Sequence, residues 1–345
     1  MEKASMLTKT ITLTERLGWH CYVLAMAPNI GMCFDRSLPA RAVVEFAESL
    51  EEGGVDQLWV IEDCFFTAGV SLAATALART ERLQVGIGIL PAVARNAAVT
   101  AMEIATLAEL APGRFIAGIG HGVQEWMEQM GAKPTSPLTT LEEVLTTVRQ
   151  LLLGETVNFE GQHVTLRDVT LDQPPAIVPP VIAGVRGPKS LAMAGRVCDG
   201  VVLADGVGPT YVRETIRNAG SPNNFRVSVF SALCLTPTLR EAYELMTPYL
   251  SFQLTAQHPS IRAHPHFDEM VERFATKGDA AIADFPAEWW AEIGAIGDRD
   301  AVLGHIEALG NAGATDVALF RGPTLELARE DLVTVQEISK HYRNK

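Results

Sequence analysis

A histidine between two glycines is the first place in this chain where the residue types suggest chemistry. The apolar run Phe115–Ile119 leads directly into Gly120, His121 and Gly122, and a helical pattern follows. Glycine has no Cβ, so a ring or a phosphate can approach its backbone closely. Histidine exchanges protons near neutral pH and can donate a proton or a hydrogen bond to a ligand. The pattern favours a ligand site at a strand end. The alternative is a histidine that satisfies a backbone carbonyl under the loop.

A second candidate site lies in the segment Gly184–Ser190. Gly187 can cap a helix, and Pro188 suits the first helical position, where its missing N–H costs nothing. The free N–H groups of the first turn and the helix dipole would then attract an anion, with Arg186 and Lys189 beside them. We expect a phosphate site here, and the alternative is an ordinary capped helix.

Two adjacent carboxylates, Glu62 and Asp63, follow the apolar run that begins at Gln57. Neighbouring side chains on a strand point to opposite faces, so these two are not a paired acid/base dyad. One of them can reach a site at the strand end, while the other caps the next helix or meets an arginine. We therefore keep both as candidate catalytic residues together with His121.

Several other kinds of chemistry find no support in the sequence. It has no GxSxG elbow, Walker loop, HExxH or zinc pattern, which disfavours hydrolases and phosphotransferases. His258, His264 and His266 lie close together, but no carboxylate or cysteine stands at ligand spacing from them. We interpret that segment as a solvated loop or lid and predict no metal site.

Composition narrows the class of protein further. The chain has 345 residues, is 48% hydrophobic and carries a net charge of −13. An acidic chain lacks the basic face that nucleic acid needs, so we expect no nucleic-acid partner. Five cysteines without CxxC spacing predict reduced, buried thiols and hence the cytoplasm. The apolar run at 21–28 is too short to span a membrane, and we expect no membrane association.

Eight apolar runs alternate with helical patterns along most of the chain. These runs are nearly continuous, which is typical of strands buried on both faces of a parallel sheet. The arrangement predicts an α/β fold, specifically a (βα)8 TIM barrel, with a doubly wound sheet as the alternative. The predicted strands are 19–27, 57–62, 83–90, 115–120, 180–184, 199–204, 226–236 and 315–320.

The helices between these strands have recognisable ends. Leu38–Gly53 carries an apolar residue every four positions, and Ser37 can cap its start. Asn96 is a candidate cap for a second helix, which Pro112 and Gly113 would end.

Two longer gaps predict insertions in the barrel. Residues 155–172 alternate around Glu160 and Gly161, which indicates a β-hairpin after the fourth helix. Residues 238–300 predict a helical excursion before the eighth strand. We expect one domain over 1–345, with residues 1–15 as an extension.

The sequence resembles the luciferase-like flavin and deazaflavin oxidoreductases over about residues 19 to 330, especially the branch that uses coenzyme F420. Taken together, the motifs are quite specific for that superfamily. They are LWVIED at 58–63, VGIGIL at 85–90 with RN at 95–96, PGRFIAGIGHG at 112–122, and GPKS at 187–190 with AG at 194–195 and DG at 199–200.

The resemblance implies a barrel whose strand ends hold a tricyclic ring, with the phosphate tail toward the helix after the fifth strand. In the deazaflavin branch, the third strand has a bulge with a non-prolyl cis peptide, which maps here to Gly88–Ile89. Relatives often place an acidic residue and a histidine at the end of strand two, where this chain has Glu62 and Asp63. Some have a glutamate where this chain has His121, and Gln124 matches an amide that often contacts the tail.

The implied activity is hydride transfer between coenzyme F420 and a small organic substrate, with His121 as proton donor or anchor. The alternatives are an FMN-dependent monooxygenase of the same superfamily and a non-catalytic barrel that binds a ligand. Analogy with relatives also suggests a homodimer. The predicted cofactor-binding residues are Gly88, Ile89, Asn96, Gly120, His121, Gly122, Gln124, Gly184, Val185, Arg186, Gly187, Lys189 and Ala204.

Overall fold

Apolar runs that are buried on both faces form the central sheet of the protein. The structure is a computed structural model and describes residues 27–344. Eight strands pair in parallel in the order β1-β2-β3-β4-β7-β8-β9-β11, and β11 returns to β1, which closes a barrel. The described strands are β1 (Asn29–Phe34), β2 (Gln57–Val60), β3 (Gln84–Pro91), β4 (Phe115–Gly120), β5 (Val157–Glu160), β6 (Thr165–Val169), β7 (Val181–Gly184), β8 (Gly200–Leu203), β9 (Arg226–Leu235), β10 (Ala295–Gly297) and β11 (Asp316–Phe320).

Helices cover the outside of the barrel and return the chain from one parallel strand to the next. The TIM-barrel prediction is therefore confirmed. The described α-helices are α1 (Val43–Gly53), α2 (Gly69–Ala78), α3 (Ala97–Leu110), α4 (Gln124–Gln129), α5 (Pro137–Leu152), α6 (Pro188–Val197), α7 (Pro209–Asn218), α8 (Leu239–Ala256), α9 (Pro259–Arg262), α10 (Phe267–Lys277), α11 (Asp279–Ile282), α12 (Ala287–Trp290), α13 (Arg299–Asn311) and α14 (Leu325–Arg343).

The barrel interior has a polar base and an apolar upper layer. At the amino-terminal ends of the strands, Gln57 and Asp316 are fully buried and hydrogen-bonded to each other at 2.7 Å. Trp59 lies above them and donates from Nε1 to Gln57 Oε1 at 2.8 Å. The ring of Phe230 meets Trp59 edge-on, with 5.2 Å between ring centroids. This packing fills the barrel centre and leaves the carboxyl ends of the strands for a site.

The hairpin insertion forms as predicted, from β5 and β6 in antiparallel pairing. Glu143 on α5 holds its turn, because its carboxylate accepts hydrogen bonds from the N–H groups of Gln162, His163 and Val164 at 2.6–2.8 Å. Gly161 is required beside them, since a Cβ there would lie 2.5 Å from the Glu143 carboxyl carbon. The hairpin is thus fastened to the barrel by one buried acid.

The excursion between β9 and β11 is helical over most of its length, as predicted, and includes α8 to α12. Tyr243 on α8 stacks on Trp290 of α12, with 4.6 Å between ring centroids, and so holds the excursion together. The sequence patterns missed the short strand β10, which pairs with the end of β9. Three residues are too few to show a periodicity.

Two predictions near the start of the barrel differ from the structure. Apart from residue 27, the first predicted strand, 19–27, lies outside the described residues, and β1 is instead the weaker apolar run Asn29–Phe34. Ser37 does not cap α1, because the helix begins only at Val43, after a 3-10 turn. The Ser37 N–H instead donates to Asp35 Oδ1 at 2.8 Å.

Within residues 27–344, no helix has the length and hydropathy needed to cross a membrane.

Candidate functional site

The carboxyl ends of the barrel strands surround a partly exposed apolar floor. Ile61, Ile89, Ala204 and Phe320 are half-buried there and pack on the interior layer that contains Trp59. Three of the four come directly after the last residue of β2 or β8, or from the end of β11. A flat apolar ligand would find van der Waals contacts on this floor without displacing the barrel core.

A bulge in β3 raises the floor on one side. The pairing of β3 with β4 shifts register between Ile87 and Leu90, so one strand carries extra residues. The peptide bond Gly88–Ile89 within the bulge is cis, as the resemblance implied. Predicted site residues Gly88 and Ile89 therefore lie where β3 leaves the regular sheet.

The glycines of β4 and β7 make room for a side chain of the protein itself. A Cβ at Gly184 would lie 2.6 Å from Ile89 Cγ2, and one at Gly120 would lie 2.9 Å from Ile89 Cδ1. Gly118 would bring a Cβ within 3.2 Å of the same side chain. Ile89 fills the space of their missing Cβ atoms, so these glycines seat the Ile89 side chain. The approach of a ring or phosphate to their backbone stays a prediction.

His121 stands at the end of β4 with its ring orientation fixed. Its Nδ1 lies 3.2 Å from the carbonyl oxygen of Pro137, and a carbonyl only accepts, so Nδ1 carries the hydrogen. Burial lowers the pKa of His121, although the Pro137 hydrogen bond opposes this. The neutral ring therefore leaves Nε2 as an acceptor. His121 satisfies a backbone carbonyl and keeps a basic nitrogen at the same time, so the two interpretations from the sequence are compatible.

Gly122 follows His121 with a φ of 70°, in the left-handed region that favours glycine. This turn directs the chain into α4, which begins at Gln124. The Gln124 amide reaches back to the Gly122 carbonyl at 3.4 Å. Gln124 thus lies close to His121 in the chain, and its contact with the cofactor tail, which the resemblance implied, stays a prediction.

Glu62 is buried and fully engaged by protein groups. Its carboxylate pairs with Arg95 through two nitrogens and accepts a hydrogen bond of 2.8 Å from the N–H of Gly69, the first residue of α2. Arg95 also pairs with Glu103 at 3.0 Å. All of these donors belong to the protein itself, so the geometry favours a structural role for Glu62 over the catalytic role we expected.

Asp63 meets a different arginine, as expected for its position next to Glu62 on a strand. It pairs with Arg36, which follows β1. The Arg36 guanidinium lies 4.8 Å from the Phe66 ring centroid and 5.6 Å from that of Trp126. Asp63, Arg36 and these two aromatic rings form one cluster across the ends of β1, β2 and β4. The geometry favours a positioning role for Asp63 here over proton transfer.

The helix after β7 has the open amino terminus that the sequence predicted. Gly187 caps α6 without any side-chain hydrogen bond, and Pro188 occupies its first turn. Nothing lies within 4 Å of a Cβ placed on Gly187. Lys189 is exposed, whereas Arg186 pairs with Asp205 after β8. Of the two cations we expected at this site, only Lys189 keeps its charge unpaired among the described residues.

The neighbouring helix α7 shows what a closed amino terminus looks like in this fold. Glu292 from the excursion accepts from the Thr210 N–H at 3.0 Å and from its hydroxyl at 2.9 Å. An acidic side chain therefore already occupies the anion position of α7. The matching position on α6 has no such occupant in the described chain.

The remaining predicted binding residues have mixed placements. Asn96 caps α3 by accepting from the Ala98 N–H at 2.9 Å, so its oxygen is occupied. Val185 is buried, and Ala204 is half-buried on the apolar floor.

Sequence reasoning missed the aromatic contacts of Arg36. The signal available for them was the pair Phe65 and Phe66 after the strand-two carboxylates, together with Trp126 on α4.

The closed parallel barrel defines the protein as a TIM barrel. His121, the uncapped amino terminus of α6 and the apolar floor all lie at the carboxyl ends of its strands, which is the face where TIM barrels carry their sites. Within the residues that the structure describes, no group of three or more metal-ligating side chains is present. The sequence profile of the luciferase-like monooxygenase family matches residues 23–316. The chain belongs to that family.

Two relatives in sequence and one solved structure are similar to this chain. The chain is 33% identical over 202 residues to 5,10-methylenetetrahydromethanopterin reductase of Methanolobus tindarius, covering 58% of this chain and 57% of that protein. It is 32% identical over 188 residues to F420-dependent glucose-6-phosphate dehydrogenase of Kineococcus radiotolerans, covering 50% and 55%. The chain thus matches only a little over half the length of each. The coenzyme F420 dependent tetrahydromethanopterin reductase from Methanopyrus kandleri has the same fold, with a TM-score of 0.74, 20% identity and coverage of 91% and 99%.

Proposed function

We propose that this protein is an oxidoreductase that transfers a hydride between coenzyme F420 and a small organic substrate. The family assignment and the relatives named for F420 support the choice of cofactor class. The observation that carries the proposal is the uncapped amino terminus of α6, which lies at the end of β7 with Lys189 in its first turn. It offers free N–H groups, a helix dipole and one cation to a phosphate-bearing tail.

The residues present fit such a group in two respects. The space beside Gly187 admits an anion next to the α6 N–H groups. The floor formed by Ile61, Ile89 and Ala204 offers an apolar surface to a flat ring. When bound, the deazaflavin supplies a ring carbon that accepts or gives a hydride, and the protein supplies orientation and a proton path.

His121 is the residue we propose for moving the proton. Because Nδ1–H is committed to Pro137, the neutral ring accepts a proton at Nε2. In the direction that oxidises an alcohol, Nε2 takes the hydroxyl proton, and in the opposite direction the imidazolium returns it. Because burial lowers the pKa of His121, this nitrogen is unprotonated at neutral pH and free to accept. This assignment refines the expectation of a proton donor, which holds only for the reverse direction.

Glu62 acts through its partners in this proposal. It fixes the start of α2 at Gly69 and holds Arg95 beside the β3 bulge. Both contacts join the segment after β2, through Glu62, to the start of α2 and to the segment after β3. We therefore assign Glu62 to positioning the site.

The test of the proposal is a parallel titration of the purified protein with coenzyme F420 and with FMN, followed by cofactor fluorescence. Micromolar binding of F420 with much weaker binding of FMN supports the proposal. The reverse order identifies an FMN-dependent monooxygenase instead. Binding of neither cofactor would leave a non-catalytic barrel and would overturn the assignment.

We also propose that the protein acts as a homodimer in the cytoplasm. Helices α2 and α3 pack side by side, and their outer face carries few charges. Val99, Met102 and Leu110 on α3 are 45%, 56% and 61% exposed, which forms an apolar stripe suited to a second copy of the chain. The free thiols of Cys33, Cys64, Cys198 and Cys234 fit a reducing compartment.

A further inference from the structure

Among residues 27–344, no arginine close to the carboxyl ends of the barrel strands is free of a carboxylate partner. Four arginines lie within four residues of the carboxyl end of a barrel strand, and each is already paired with a carboxylate of the protein. The pairs are Arg36 with Asp63, Arg95 with Glu62 and Glu103, Arg186 with Asp205, and Arg321 with Glu330 and Asp331.

These pairs remove the usual means of holding an anionic substrate. An arginine recognises phosphate or carboxylate through its paired N–H groups, and here those groups already face protein carboxylates. An anionic substrate would have to displace an intramolecular partner, and the rim carboxylates and the net charge of −13 would repel it. Lys189 remains, but it lies at the α6 terminus, where the proposed function places the coenzyme tail.

What the rim exposes instead is apolar and aromatic. We use the term aromatic rim for Phe65, Phe66, Val123 and Trp126. Phe65 is 65% exposed, Phe66 52% and Val123 40%. Phe66, in the segment after β2, and Trp126 on α4 contact the Arg36 guanidinium, so the cluster spans three strand ends. Val123 is two residues from His121, which brings the aromatic rim to the proposed proton acceptor.

We infer that the substrate is a neutral, apolar or aromatic alcohol or carbonyl compound, recognised by the aromatic rim, and that phosphorylated or carboxylated compounds are rejected. The choice of an alcohol or carbonyl as the reacting group rests on the proposed function. The preference for a neutral substrate rests on the side chains of the rim alone. Exposed aromatic side chains contribute most binding free energy when an apolar ligand buries them. The Arg36–Asp63 pair is the element that makes the rim neutral.

The experiment compares two probes of similar shape that differ in charge, acetophenone and 4-acetylbenzoate. Binding of each is measured by saturation-transfer NMR, on the protein alone and with F420 added. We expect acetophenone to bind at least tenfold more tightly than 4-acetylbenzoate. Equal binding, tighter binding of the carboxylate, or binding of neither probe overturns the inference. The F420 titration tests the proposed function separately, so failure of the proposed function can be distinguished from failure of the substrate inference.

Two variants sharpen the assignment. Asp63→Asn leaves the Arg36 charge unpaired, so we expect 4-acetylbenzoate to bind about tenfold more tightly and acetophenone to change by less than twofold. Phe66→Ala should weaken acetophenone binding at least fivefold. Leu153→Ala, which removes an equally exposed apolar side chain far from the rim, should leave both affinities unchanged. Unaltered selectivity in Asp63→Asn, in protein shown by circular dichroism to be folded, would contradict the role of the pair.

Discussion

Arg226 and Asp316 form a bidentate ion pair at the amino-terminal end of the barrel. Arg226 Nε lies 2.7 Å from Asp316 Oδ2, and Nη2 lies 2.8 Å from Oδ1. The Asp316 carboxylate is inaccessible to solvent and also accepts from Ser228 Oγ at 2.6 Å and Gln57 Nε2 at 2.7 Å. One carboxylate thus joins β2, β9 and β11 where the barrel closes.

Removing that carboxylate should strongly destabilise the fold. Asp316→Ala leaves the Arg226 charge without its carboxylate and removes the acceptor of Ser228 Oγ. Loss of one partner of a buried pair costs about 3–5 kcal/mol. The free energy of unfolding from urea titration measures this. Glu244→Ala removes an exposed i,i+4 pair with Arg240 and should leave the midpoint unchanged. Similar midpoints for the two variants would show that the Arg226–Asp316 pair does not stabilise the barrel.

The barrel strands were predictable because burial on both faces makes their apolar runs continuous. The segments of β2, β4 and β9 stand out in this way, with almost every residue buried. The same criterion did not select Asn29–Phe34, which forms β1, because the run at 19–27 is more apolar in sequence. The strand β1 is defined by its pairing with β2 and β11, which hydrophobicity alone does not report.

The candidate site was predictable only in outline. Strand ends and helix caps are local, so His121 and the α6 terminus followed from neighbouring residues. Partners that lie far apart in sequence did not follow. Nothing near Glu62 in sequence shows that Arg95 neutralises it, and nothing near Gly120 shows that Ile89 fills its missing Cβ space. Such contacts arise from tertiary packing, which a single sequence does not report.

Acid should destabilise the protein through His305. This residue is fully buried, with Nδ1 2.7 Å from the Ala291 carbonyl and Nε2 3.0 Å from Ser231 Oγ. Burial lowers its pKa to about 4. The unfolded chain binds the proton near pH 6.5 and the folded chain only near pH 4, so the stabilisation is complete above pH 6.5. It is lost as pH falls from 6.5 to 4.

The expected loss from this group between pH 7 and pH 5 is about 2 kcal/mol, at about 1.4 kcal/mol per pKa unit. It is measured as the difference in unfolding free energy between the two pH values. In His305→Gln the same pH change should cost about 2 kcal/mol less, because the carboxylates and other histidines titrate alike in both proteins. Identical pH dependence in the two proteins would exclude His305 as the sensitive group.

His121→Ala should reduce turnover about a hundredfold, which is at the lower end of what a positioned proton acceptor contributes. Coenzyme affinity should stay within threefold, because the ring of His121 is bound to Pro137 and not to the α6 terminus. In the wild type, alcohol oxidation should hold its rate down to about pH 6.5 and decline below it, since burial lowers the His121 pKa. His341→Gln, at the opposite end of the barrel, serves as control. Unchanged turnover in His121→Ala would remove this residue from the mechanism.

Lys189→Ala should weaken coenzyme F420 binding about tenfold, because one cation beside a helix amino terminus is then lost. The salt dependence of binding should also become shallower, since fewer charges are screened. Fluorescence titrations at two ionic strengths measure both effects. Lys340→Ala removes an exposed charge at the other end of the barrel and should change neither. If both lysine variants bind alike, the tail does not lie at α6.

Met102→Glu should separate the proposed homodimer into monomers. Met102 lies in the apolar stripe on α3 between Val99 and Leu110, and burying a carboxylate in that contact would cost its desolvation energy. Sedimentation analysis of the wild type and the variant measures the change. Val333→Glu introduces the same charge at an equally exposed apolar position on α14, so that variant should remain dimeric. A monomeric wild type, or a dimer that survives Met102→Glu, would show that α3 does not form the interface. Because the stripe lies on the outside of the barrel, dissociation should leave the F420 affinity within threefold.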